Sequence, residues 1–434
     1  MLAGGISASL AGGMLAITGT DQAETISVRQ ANNLLYIGGL TGSFARSEVS
    51  KITIDAKGGN DTIDLRSAAA GNQPITLPTV LYGGAGADTI YGGAGPDTIY
   101  AGEGNDCLIG GPGDDLLAGE AGNDAYLFDA DVPLGRDQVV ELGGGGTDTV
   151  SFAGTTTQSV TLNLGLSGWQ WVNVNSSLLL SSGATLEAAV GGSLADTLTG
   201  NALSNYLDGG AGNDALFGSA GNDTLRGGTG NDRLDGGTGY DGVSETADAD
   251  FALTDAALTI GGSRTTLTQI ERAALTGGAG DNTLDASVFS GDVVLIGGAG
   301  KDVLRGSKGF SRLVGEGGAD TMYGNSAQTE FLGGESGKTF LFGRPAVQSP
   351  LPAVYVPADP GNEKPLFAPA CQADGATEAC VTKFLDLVAD PTQGFGVSLT
   401  DGSVKRTNLE NLFTSLLTDP NVRDVRWMAY LLAT

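Results

Sequence analysis

Histidine is absent from the 434-residue chain. With it go the commonest zinc ligand, the commonest general base and every Ser-His or Cys-His nucleophile pair. A carboxylate pair of the glycosidase or lyase kind stays open, so catalysis is disfavoured rather than excluded. The 3 cysteines cannot build a disulfide framework. Cys371 and Cys380 are spaced to close one small loop in an oxidising compartment, which leaves Cys107 over, at an outward strand position. Bases are few: 22 Lys and Arg stand against 50 Asp and Glu, a net charge of −28. Such a surface disfavours nucleic acid and anionic membranes. No apolar run reaches about 18 residues, so no membrane span is expected. The opening MLAGGISASLAGGMLAITGT has no Lys or Arg ahead of its apolar part and is broken by glycines. It makes a poor secretory signal; export by another signal, or a start lying upstream, is the expectation.

What is abundant is glycine, at 72 residues. That is about one in six, well short of the one in three of collagen. Residues from 345 onward hold ten acids and six bases, which leaves −24 on residues 1–344, beside the glycines. The two are in phase. In YGGAGADTIYGGAGPDTIYAGEGNDCLIGGPGDDLLAGEAGND, residues 82–124, Asp88, Asp97, Asp106, Asp115 and Asp124 recur every nine residues. Ile90, Ile99, Leu108, Leu117 and Tyr126 follow two positions later. A second block, 191–243, has Asp196, Asn205, Asp214, Asp223, Asp232 and Asp241 at the sixth position and Leu198, Leu207, Leu216, Leu225, Leu234 and Val243 at the eighth. A third starts with GGAGDNTLD at 277, breaks, and resumes at Gly297. There the sixth position decays (Asp302, Ser311, Asp320, Thr329, Lys338) while the eighth stays apolar (Leu304, Leu313, Met322, Phe331, Phe340). GGNDTIDL at 58–65 is a partial copy.

One repeat reads Gly-Gly-x-Gly-x-Asp-x-U-x, with U a large apolar residue. Six residues are loop, where glycines permit positive φ and close approach of carbonyls. Three are a strand whose middle side chain points to one face. Two repeats make a coil of two strands with the U residues between them, and stacked coils bury an aliphatic column. Sixth positions two repeats apart then stack about 4.8 Å from one another, where bare carboxylates repel by roughly 1 kcal/mol in water and several-fold more at lower dielectric. A hard dication bound by oxygen would relieve this. Calcium fits irregular mixtures of carboxylates and carbonyls, magnesium demands a stricter octahedron, and zinc prefers nitrogen or sulfur. A disordered glycine linker would not keep apolar residues at a fixed phase.

The pattern resembles the repeats of RTX proteins, the haemolysin-type calcium-binding repeats; GGAGNDALF at 209–217 and GGTGNDRLD at 227–235 match best. The resemblance implies a parallel β-roll, calcium held by sixth-position aspartates and loop carbonyls, export without a cleaved N-terminal signal, and folding outside the cell. Carried over residue by residue, it gives the pairs Asp88/Asp106, Asp97/Asp115, Asp106/Asp124, Asp196/Asp214, Asp214/Asp232, Asp223/Asp241 and Asp302/Asp320, with Asn205/Asp223 weaker by one charge. The third block is expected to stack with little calcium.

The expected chain is all-β: an N-terminal β segment (1–82), repeat blocks at 83–128, 191–243 and 277–342, and β spacers at 129–190 and 244–276. A proline-rich linker (343–376) and a small helical module (377–434) complete it. The module serves as a structural cap or as a secretion or anchoring segment. The functional expectation is a non-catalytic, extracellular, calcium-folded structural protein binding several Ca2+ ions. An adhesin or matrix protein with a cell-surface or polysaccharide partner, and a non-catalytic fragment of a larger secreted enzyme, are the alternatives. No H-E-x-x-H or G-x-S-x-G motif occurs. In calcium-binding titrations, Asp214→Ala should damage two sites because Asp214 belongs to two pairs, and Lys338→Ala should change nothing; an Asp214→Ala protein with undiminished calcium uptake refutes the pairing.

Overall fold

In most repeats of the first two blocks the strand is three residues long. Thr89–Tyr91, Cys107–Ile109, Thr197–Thr199, Tyr206–Asp208, Ala215–Phe217, Thr224–Arg226 and Arg233–Asp235 hold the seventh to ninth positions of their repeats. Their middle residues Ile90, Leu108, Leu198, Leu207, Leu216, Leu225 and Leu234 are all fully buried. The strands pair in parallel with the strand two repeats away, Leu108 against Ile90, Leu198 against Leu216, and Leu216 against Leu234. This register makes a coil of 18 residues and lines the apolar residues into one column, each side chain contributing about 1.5–3 kcal/mol by burial.

These features come from a computed structural model that describes residues 5–66, 73–141, 146–180, 185–326 and 328–332, and the backbone of 340–342. The chain divides into two compact units, Met1–Ala368 and Pro369–Thr434, and every described residue belongs to the first. The expected linker and helical module, with Cys371, Cys380 and Lys338, lie outside the described residues.

Among the described residues the protein is all-β apart from the single short turn of 3-10 helix Arg46–Glu48. One face of the roll is a 16-stranded sheet that carries strands of all three blocks and both spacers. The other face is made of a 9-stranded sheet and then an 11-stranded one. They change over in the first spacer, between the edge strands Trp169–Asn173 and Thr161–Asn163. The Gln170 side chain links the two edges: its Oε1 accepts from the Asn163 N–H at 2.8 Å and its Nε2 donates to the Asn163 carbonyl at 3.0 Å. The spacers are thus strands of the stack with antiparallel additions, Trp169–Asn173 on Ser176–Leu180 in the first and the meander Phe251–Thr254, Ala257–Ile260, Ser263–Thr268 in the second. The N-terminal segment enters as the hairpin Ser7–Ala11, Met14–Thr18, whose second strand pairs in parallel with Lys51–Asp55.

The loops need glycine where coils touch. Gly230 has φ +143°, and a Cβ there would overlap the Gly212 carbonyl of the coil before. Cys107 departs from the sequence reading. Its side chain is buried at 3% exposure and is not a free thiol, so it is neither exposed nor left over. The third block keeps the column, with Leu304, Leu313 and Met322 fully buried, although Ser311 stands where an acid stood earlier. Among the described residues no helix is long and apolar enough to cross a membrane.

The column sets the first structural test. Leu216→Ala should cost about 2–5 kcal/mol in denaturant unfolding with calcium present. Val174→Ala, at a side chain 80% exposed, should stay within about 0.5 kcal/mol. Equal costs would contradict the burial pattern.

Candidate metal centres between the coils

The sixth-position side chain leaves the chain where loop becomes strand. Its own N–H points along the roll axis, to the corresponding residue of the next coil. Asp88 N–H donates to Asp106 Oδ1 at 2.7 Å, Asp106 to Asp124 at 2.8 Å, and Asp97 to Asp115 at 2.8 Å. In the second block Asp196 donates to Asp214 at 2.8 Å, Asp214 to Asp232 at 3.0 Å, Asn205 to Asp223 at 2.7 Å and Asp223 to Asp241 at 2.7 Å. In the third Asp302 donates to Asp320 at 3.1 Å. The structure therefore brings together each pair expected from the sequence. The difference is that one oxygen of each pair is already engaged by a backbone N–H, so the carboxylates are not bare.

The second oxygen is the informative one. Oδ2 of Asp88, Asp106, Asp115, Asp124, Asp214, Asp223, Asp241, Asp302 and Asp320 is buried without a hydrogen-bond donor. Three expected site residues differ. Asp97 Oδ2 accepts from the Gly93 N–H at 2.6 Å, Asp196 Oδ2 from the Gly192 N–H at 2.5 Å, and Asp232 Oδ2 from the Thr265 hydroxyl at 3.1 Å. At these three, protein donors do what a cation would do elsewhere.

The donorless oxygens face cradles left by the first glycine of each repeat. A Cβ on Gly209 would meet Asp214 Oδ2 and the Gly227 carbonyl; one on Gly218 would overlap Asp223 Oδ2 and the Gly236 carbonyl. A carboxylate oxygen and a carbonyl of the next coil thus converge where no side chain stands. The donor set is oxygen only, which suits a hard cation such as calcium. A buried carboxylate oxygen without a donor costs several kcal/mol unless a cation or proton compensates.

Burial raises these acids. It pushes Asp88 and Asp97 up to about 6, Asp106 and Asp124 to about 7, and Asp115 to about 8. Asp214 and Asp223 reach about 7, and Asp196, Asp232, Asp241 and Asp302 also rise. The N–H donors pull the other way, and neighbouring carboxylates add to the rise, as Asp124 and Asp88 do for Asp106.

The same ladder extends through residues that sequence reasoning missed. Glu24 N–H donates to Asp61 Oδ1 and Asp61 N–H to Asp88 Oδ1, both at 2.7 Å. Asp115 leads to Asp137 at 3.1 Å, Asp124 to Asp148 at 2.9 Å, Asp148 to Glu187 at 2.9 Å, Asp241 to Glu271 at 2.9 Å and Asn282 to Asp302 at 2.8 Å. Signals existed: GGGGTDTVS at 143–151 fits the full nonapeptide template, and GGNDTIDL carries Asp61. A second ladder uses the fifth position. Asn105 Oδ1 accepts from Asn123 N–H, Asn213 Oδ1 from Asn231 N–H, and Asn222 Oδ1 from Tyr240 N–H, at 2.8, 2.8 and 2.9 Å.

A comparison with protein-family models matches the RTX calcium-binding nonapeptide repeat at residues 82–117, 100–131, 190–225, 208–243, 274–288 and 296–327. Comparison with curated proteins gives no match.

The raised acids set a pH dependence. With calcium chelated, the folded roll holds protons that the unfolded chain has lost, so this stability is full below about pH 4 and is lost as pH rises through about 6–8. The urea midpoint of chelated protein should be higher near pH 4.5 than near pH 8. With calcium present, protons compete for the same oxygens, so half-saturation should need more calcium as pH falls below about 7. The opposite ordering of midpoints would show that these carboxylates are ionised in the apo roll.

Proposed function

We propose, on the premise that this chain carries RTX calcium-binding repeats, that it is a non-catalytic structural protein of the extracellular space or cell surface that folds on calcium. The single observation that carries this reading is the run of buried, donorless Oδ2 atoms at the sixth position of coil after coil. Asp88, Asp106, Asp115, Asp124, Asp214, Asp223, Asp241, Asp302 and Asp320 would hold the ions, with carbonyls of the loop glycines. Calcium would supply positive charge between coils and no chemistry beyond it.

Extracellular calcium modules bind at roughly 0.1–1 mM. At cytosolic calcium the ionised carboxylates would oppose stacking and keep the chain loose for export. At extracellular calcium, binding free energy becomes folding free energy. The net charge of −28 suits this switch, since dications cancel it as the coils close.

A surface-binding role is the second reading. It is favoured by Leu166, Trp169, Trp171 and Val174, which stand 47%, 46%, 76% and 80% exposed in and beside the hairpin at the seam. Exposed tryptophans with an apolar body and a polar edge suit a polysaccharide or cell-surface partner.

Far-UV circular dichroism of chelator-treated protein during a calcium titration tests the main reading. A cooperative gain of β signal near millimolar calcium, absent with magnesium, is expected. Full β signal under chelator at neutral pH would leave the aspartates without a folding role.

A further inference from the structure

At the end of the first block the pattern changes in two linked ways. The eighth position, aliphatic in the preceding repeats, becomes Tyr126, fully buried. One coil on, the strand Gly135–Val140 pairs Ala118 with Val140, so the next residue, Glu141, stands beside Gly119. Nonapeptide coils have their first glycine at that place. The Tyr126 hydroxyl accepts from the Gly119 N–H at 2.7 Å and donates to Glu141. It is a neutral tether that holds the glutamate inward.

Glu141 thereby joins two acids of the ladder. One carboxylate oxygen from each of Asp124, Glu141 and Asp148 lies within 4.8 Å of the others, and all three residues are buried. Asp124 itself is 1% exposed, and its Oδ2 has no hydrogen-bond donor. The cradle at Gly119 is also here: a Cβ on Gly119 would overlap Asp124 Oδ2 and approach the Tyr126 hydroxyl.

The end of the second block shows the alternative. Glu245 occupies the same place opposite Gly227, but its Oε1 accepts from the N–H groups of Gly227 and Gly228 at 2.7 and 3.0 Å, and Arg226 lies 4.0 Å from Oε2. There the chain brings its own cation. At the first block's end the convergent groups are three carboxylates.

We infer that Asp124, Glu141 and Asp148 form a calcium site of a different class from the nonapeptide sites, tighter because it offers three carboxylates in place of two, and that it fills first and locks the first block to its spacer. Charge count and rigidity set calcium affinity, and here the tyrosine tether supplies the rigidity. The inference rests on the calcium reading above. It goes beyond it because Glu141 and Asp148 lie outside every matched repeat segment.

Calcium uptake by the full chain, measured against a chromophoric chelator, tests it. The wild type should show one ion bound at least about tenfold more tightly than the rest. Glu141→Gln should lose that ion and keep the others, with an unchanged circular dichroism plateau at saturating calcium. A full ion count in Glu141→Gln, or a single affinity class in the wild type, overturns the inference. A wild type that takes up no calcium overturns the reading on which it rests. Should Glu141→Gln fail to fold, Tyr126→Phe keeps all three carboxylates in the chain and removes both the tether on Glu141 and the nearest sensitiser. Terbium emission excited through tyrosine should then drop severalfold at the first equivalent, and unchanged emission overturns the site.

Discussion

The structure depends on a carboxylate held between two coils with one oxygen satisfied and the other not. Asp106 shows both halves: Oδ1 takes the Asp88 N–H, while Oδ2 is buried without a donor. The first contact fixes the spacing of the coils, and the second opposes closing them. A buried leucine of the column contributes about 1.5–3 kcal/mol, and a donorless buried carboxylate oxygen costs about as much or more. Neither side wins by itself. The balance passes to whatever neutralises the oxygen, a proton at low pH or a cation at neutral pH, and a cation bound there would be part of the fold rather than an ornament on it.

Much of this was legible in the sequence because the signal is periodic. Leu198, Leu216 and Leu234 share a phase, and a shared phase with a loop of fixed length leaves one parallel register. The same arithmetic places Asp196 beside Asp214. What could not be read were contacts made by residues outside the period. Thr265, in the second spacer's meander, reaches Asp232 across 33 residues, and no spacing rule predicts it. Asp148 and Glu187 continue the ladder over offsets of 24 and 39 residues, because spacer residues are inserted without disturbing the coil. The fifth-position asparagines were visible in phase, but their part needed the observed direction of the N–H groups. Cys107 was misread because strand phase gives the face of a side chain and not its exposure, which is 3%.

The two faces of the roll are not equivalent. One sheet is continuous, and the opposite face changes sheets at the first spacer, where the Gln170 side chain stands in for a missing strand-to-strand ladder. The exposed Trp171 projects next to this discontinuity. Departure from the nonapeptide rule thus coincides, among the described residues, with a run of exposed apolar side chains, Leu166, Trp169, Trp171 and Val174. Regularity serves the stack, and the breaks in it are where the chain acquires individual features.

The in-register pairing of each strand with the one two repeats away has a consequence for how such a chain can change over generations. Adding or deleting a whole coil of 18 residues returns every side chain to an equivalent place, so the molecule can grow or shorten in steps of one coil. A step of nine would send every later strand to the opposite face, exchanging the continuous sheet for the interrupted one and moving the spacer hairpins across the roll. A single-residue insertion or deletion inside a strand would turn the column residue outward for the rest of that strand. Length in this protein is therefore inherited in units, and the spacers are the places where the count can drift.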